Sequence, residues 1–201
     1  MNRSNKPSAR YLLAIAGALA LAGCGAATPK QEPPLAGAAI GGDFTLTNSA
    51  GQTVRWGDFA GKWRIVYFGY TFCPDVCPTD MQRVAQGLKL LKGKDPALAA
   101  KIVPIFISVD PERDTPKVVG EFAAAFSPDV VGLTGTRAQV DAAAKTFAVA
   151  HAKGEAQPGG GYLVDHSRIV YLFGPDGAPI ATLPADEGAD AVAAELERWV
   201  S

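Results

Sequence analysis

Two runs, "WRIVYFGY" (residues 63–70) and "IVPIFISVD" (residues 102–110), set the strongest limit on what this chain can fold into. Both are almost continuously apolar, β-branched or aromatic, as expected for strands buried on both faces of a sheet. Between them Met81, Val84, Leu88 and Leu91 recur at helical spacing, so a helix is expected from about Pro78 to Leu91. A pair of buried strands bracketing a helix belongs inside an α/β domain rather than a bundle or a sandwich.

The remaining segments extend that pattern. "FTLT" and "TVRW" alternate apolar with polar and read as a short leading hairpin. "TPKVVGEFAAAF" opens with Thr115 as N-cap and Pro116 at the first helical position. "VVGLTG" is a third, short strand, and "TRAQVDAAAKTFAV" starts with a Thr-x-x-Gln capping box. "RIVYLFGPDGAPIATLP" gives two strands around the turn Pro175-Asp176-Gly177, and a last helix runs from about Gly188 to Val200. The order implies a central, mainly parallel sheet with flanking helices and a C-terminal hairpin plus helix. In such sheets, sites form beyond the carboxyl ends of the strands. The loop after the first buried strand and "VDPERDTP" after the second fall on that rim.

The first 42 residues read differently. Arg3, Lys6 and Arg10 precede an apolar run from Tyr11 to Ala22, the layout of a signal peptide. That run is shorter than the roughly 20 residues needed to span a bilayer. It ends in Leu21-Ala22-Gly23-Cys24, which resembles the bacterial lipobox, in which the cysteine is lipidated and becomes the first residue of the mature chain. An uncleaved anchor helix is the alternative, and either arrangement exports the domain and ties it to a membrane. Residues 24–42 are rich in Ala, Gly and Pro and read as a tether, leaving residues 43–201 as the globular domain. A formal net charge of −1 without blocks of like charge argues against a nucleic-acid surface.

If Cys24 carries lipid, the domain keeps only Cys73 and Cys77, in "FGYTFCPDVCPTD". A disulfide between them closes so small a loop that it removes little entropy from the unfolded chain. Pro78 places Cys77 near a helix N-cap, where the dipole lowers a thiol's pKa, while Asp75 opposes that effect. The arrangement is thioredoxin-like, but with three residues between the cysteines instead of two. That loop permits a disulfide and also lets two sulfurs face one ion. A metal would need a third ligand, and the chain has two histidines. His151 precedes "AKGEAQPGGG" and reads as a surface residue of a flexible loop. His166 lies between apolar segments, where a polar ring needs a partner. Cys73, Cys77 and His166 would form a two-sulfur, one-nitrogen set. Structural zinc prefers four protein ligands, whereas soft thiolates favour Cu(I) and imidazole suits copper in either oxidation state. A catalytic zinc with bound water remains open on this chemistry.

"YTFCPDVCPTD", "ISVDPERDTP" and "YLVDHSRIVYLFGPDG", in that order, closely resemble the motifs of the Sco/SenC family, over about residue 43 to the C-terminus. The resemblance implies a membrane-tethered, thioredoxin-like copper protein, not a turnover enzyme, that helps build the dinuclear Cu-A centre of cytochrome c oxidase. It implies Cys73 and Cys77 as metal thiolates or, when oxidised, as a redox disulfide, and His166 as the imidazole ligand. Asp75 and Asp165 become candidates to support the ligands. Asp110, Arg113 and Asp114 match the family's rim motif, read as an ion-paired turn. Expected partners are the copper-site subunit of the oxidase, a copper donor and an upstream thiol reductase. A thiol-disulfide reductase acting on the recipient's cysteines is the rival function, and a redox or copper sensor is a second.

Overall fold

A computed structural model describes Met1 and residues 31–201. The expected signal segment and Cys24 lie outside the described residues. No helix among those described is long and apolar enough to cross a membrane.

In chain order the elements are β1 (Thr45–Asn48), β2 (Thr53–Arg55), β3 (Trp63–Gly69), α1 (Val76–Lys94), α2 (Pro96–Ala99), β4 (Ile102–Ser108), α3 (Pro116–Ala124), β5 (Val131–Thr134), α4 (Arg137–Thr146), β6 (His151–Ala156), β7 (Tyr162–His166), β8 (Val170–Phe173), β9 (Pro179–Thr182) and α5 (Ala189–Trp199). Seven strands form one sheet in the order β2-β1-β5-β4-β3-β8-β9. Its centre, β5-β4-β3, is parallel, and both flanks are antiparallel. Every residue of β3 is buried, as its unbroken apolar sequence requires.

Strand alternation divides the core into two layers. Tyr67 and Phe106 pair in register and point to the face covered by α1 and α3, where Phe106 meets Phe122 at 4.7 Å between ring centroids. Arg64 and Phe173 point the other way. There Phe173 and Phe147 at the end of α4 meet edge-on, and Trp56 packs against both. Thr115 caps α3, and Thr136 with Gln139 forms a complete capping box on α4, as the sequence expects.

Three details depart from expectation. The helix after the cysteines is longer, Val76 to Lys94, so Cys77 sits in its first turn rather than at its cap. Pro78 is the third helical residue instead of the first, a place where its missing N–H lacks an intrahelical partner anyway. The compact unit begins at Glu32, earlier than the residue 43 expected for the globular domain. Leu35 N–H donates to Ile180 O and Gly41 N–H to Thr146 O, both at 3.0 Å, while Leu35 and Ile40 pack against the core. Low apolar content concealed two anchoring side chains. The third departure is that "HAKGEA" is a strand, β6, paired antiparallel with β7 in a small separate sheet.

The docked segment gives a direct test. Gly41 has φ +86°, and a Cβ there would lie 2.4 Å from the ring of the fully buried Phe173. Gly41→Ala should therefore lower unfolding stability by about 1–3 kcal/mol, read from denaturant midpoints at constant m-value. An unchanged midpoint would mean that this segment is not held against the domain.

Candidate metal centre

Cys73 lies in the loop that leaves the buried end of β3, and Cys77 is the second residue of α1. The loop's shape is set from the second motif. Asp114, fully buried, accepts from Thr71 N–H at 3.0 Å, Thr71 Oγ1 at 2.6 Å and Ser108 Oγ at 2.5 Å. Burial pushes its carboxyl up, and these three donors oppose that shift. Asp110, equally buried, pairs with Arg113 Nε at 2.5 Å. The rim motif is thus an ion-paired brace holding the residues just before Cys73.

The cysteines are unbridged, Cys73 half-buried and Cys77 buried. Cys77 N–H donates to Cys73 Sγ at 3.4 Å, so the open amides of the helix start face Cys73. This reverses the expectation from the sequence, which set the dipole against Cys77. Burial pushes the Cys77 thiol well above its ordinary range, and the neighbouring Cys73 adds to that.

His166 ends β7 and reaches back over the same spot. Its Nε2 is 3.2 Å from Cys77 Sγ, and its Nδ1 is 3.2 Å from Ser167 O. A carbonyl can only accept, so Nδ1 carries the proton and Nε2 turns its lone pair toward the sulfur. Burial lowers the ring's pKa, which favours the neutral, ligating form. Tyr67 and Tyr70 hold the ring edge-on, at 6.1 and 5.9 Å between centroids. One ligand atom each from Cys73, Cys77 and His166 lie within 4.8 Å of one another. No other His, Cys, Asp or Glu joins this group among the described residues.

The other sequence candidates fall outside it. Asp75 and Asp165 are exposed. Asp75 makes no capping bond with its side chain, and Asp165 acts on His166 only through its charge. The carboxylate beneath the site is Asp80, 1% exposed, which the sequence reading passed over. It accepts from Tyr67 O–H at 3.2 Å and from Arg168 Nε and Nη2 at 2.6 and 2.5 Å. The signal was available in "CPTD": a carboxylate three residues after Cys77, between apolar helix positions, must face inward. His151 is also corrected. It is no loop residue but the direct strand partner of His166, with its side chain 14% exposed and Nε2 3.3 Å from Asp141.

A family model described as SCO1/SenC matches residues 32–201. The chain belongs to the SCO1/SenC family. The SCO1 homolog of Homo sapiens, a mitochondrial protein, is 41% identical over 138 residues, covering 69% of this chain and 45% of that protein. The mitochondrial SCO1 homolog 1 of Arabidopsis thaliana is 40% identical over 147 residues, 73% of this chain and 43% of that protein. This chain thus spans about half the length of the curated SCO1 relatives it matches. Solved SCO1/SenC structures align more completely. Arabidopsis thaliana ScoI with copper bound superposes with a TM-score of 0.72 at 35% identity, covering 80% of this chain and 98% of that one. Bradyrhizobium japonicum ScoI with copper bound gives 0.71 at 37% identity, covering 81% and 100%. The thioredoxin-like fold expected from the sequence is that of these Sco proteins.

Proposed function

We propose that this chain is a copper metallochaperone for cytochrome c oxidase assembly. It binds one copper ion through Cys73, Cys77 and His166 and passes it to the copper-site subunit by ligand exchange, for the dinuclear Cu-A centre. The observation that carries the proposal is the gathering of two sulfurs and one imidazole nitrogen within 4.8 Å, with no fourth ligand in the group among the described residues. Two thiolates and one neutral imidazole suit Cu(I), while structural zinc would seek a fourth protein ligand. The copper bound in the ScoI relatives supports the same assignment.

The thiol-disulfide reductase and sensor readings gain less support. Disulfide exchange needs a thiolate that is both ionised and reachable. Cys77 is fully buried with its thiol pushed up, which leaves Cys73 as the reachable sulfur. We place the domain on the exported side of a membrane, in the periplasm or on the outer face of the cytoplasmic membrane. Lipid on Cys24 anchors it, and a copper donor and a thiol reductase act upstream. Incorporation of labelled palmitate by the wild type and not by Cys24→Ala tests the anchor.

The function is tested by anaerobic Cu(I) titration of the reduced chain. One equivalent should bind, and His166→Ala should weaken binding while leaving reduction of a model disulfide nearly unchanged. His151→Ala should leave copper binding intact. Equal affinity in His166→Ala and wild type would remove the ring from the site.

A further inference from the structure

His166 is carried by a hairpin that shares no strand with the seven-stranded sheet. Its tip contains three successive glycines at positive φ, Gly159 to Gly161, and most residues of β6 are exposed. The hairpin's apolar anchoring is small: Val164 of β7 is buried in the core and Tyr162 packs partly against it. Polar contacts must therefore add to the hold that keeps the imidazole in register with Cys77.

Within the hairpin itself a polar attachment centres on Tyr162, four residues before His166 and at the start of β7. Its hydroxyl donates to the buried Asp110 Oδ1 at 2.8 Å, and Glu112 Oε2 stands 3.3 Å away. The Arg113 guanidinium lies 3.7 Å from the ring centroid and the Lys153 ammonium 4.1 Å from it. Both cations are close enough to be attracted by the ring's π electrons. Arg113 is held by Asp110 at 2.5 Å, and Lys153, from β6, by Glu112 at 2.5 Å. One ring thereby joins both strands of the hairpin to the brace that also shapes the cysteine loop.

We propose that Tyr162 is a positioning residue for His166: its bond to Asp110 fixes the β6–β7 hairpin so that the imidazole covers Cys77 and completes the metal site. The assignment rests on the copper reading above, and it adds a residue that touches neither metal nor sulfur. Tyr162→Phe keeps the ring that both cations contact and removes only the hydroxyl, so the fold should persist. The hairpin would then spend more time open, and apparent affinity falls with the fraction of competent molecules.

The experiment uses the full chain in two backgrounds, wild type and His166→Ala, with two measurements. In the metal-free reduced chain, Cys77 alkylation is followed by peptide mass spectrometry. In the second, Cu(I) affinity is measured by competition with a chelator. Against wild type, Tyr162→Phe should speed Cys77 alkylation and weaken Cu(I) binding, each about tenfold, the scale of one hydrogen bond to a charged acceptor. Against His166→Ala, both effects should vanish, because the residue acts through that ring. Equal effects in both backgrounds, or no effect in wild type, would overturn the proposal. Failure of the unsubstituted chain to bind copper would sink the copper reading alone, and the alkylation arm would still decide the role of Tyr162.

Discussion

Cys77→Ser should abolish tight copper binding while the domain remains folded. Cys77 is completely buried, with His166 Nε2 3.2 Å from its sulfur. A serine hydroxyl there can donate to the same nitrogen, so the fold loses little. The metal loses a thiolate, which no hydroxyl replaces at neutral pH. Cys73→Ser should have an equal effect on copper and a smaller one on stability, since that residue is only half-buried. The pH dependence follows from the same burial. A thiol pushed upward holds its proton at neutral pH in the metal-free chain, and copper must displace it. Affinity should therefore rise with pH between 6 and 8, by about tenfold per unit for each proton released. A competition titration across that range reads the slope directly. Unchanged affinity in either serine variant would remove the cysteines from the metal site.

Much of this centre was legible in the sequence, for identifiable physical reasons. β3 and β4 announce themselves because a strand buried on both faces has no alternating polar positions. Thr115 and Thr136 mark helix starts because their hydroxyls satisfy amides that nothing else reaches. The cysteines stand at the end of a buried strand, and His166 beside an apolar one, so their convergence on one rim follows from strand order. β6 was hidden because its own residues carry no apolar face to reveal a period; within the hairpin the buried apolar side chain is Val164 of β7. "HAKGEA" has no apolar residue larger than alanine; it is paired with β7 and tied to the rim by Lys153 on Glu112. Asp75 and Asp165 drew attention by adjacency in sequence, yet both point to solvent. Asp80 was missed because its partner, Arg168, lies 88 positions away, a separation that no local pattern records.

That long-range pair should produce a stability effect far larger than the exposure of Arg168 suggests. Arg168 is 39% exposed, so by exposure alone its loss would pass for a mild change. Its partner decides otherwise, because Asp80 is 1% exposed and takes both short bonds from the guanidinium. Removing the arginine leaves a buried carboxylate with only the Tyr67 hydroxyl, at 3.2 Å. An uncompensated buried charge of this kind costs about 3–5 kcal/mol. Arg168→Ala should accordingly lower the unfolding free energy by about that amount in the metal-free chain, measured by denaturant titration. Asp80→Asn should be milder, because a neutral amide is cheaper to bury than an unpaired charge. Adding Asp80→Leu to Arg168→Met should recover much of the loss, since no charge then remains inside. The pair also ties α1, which carries Cys77, to the segment two residues beyond His166. Arg168→Ala should therefore weaken copper binding even under conditions where most molecules remain folded. A variant with near-wild-type stability would show that the pair does not hold the site together.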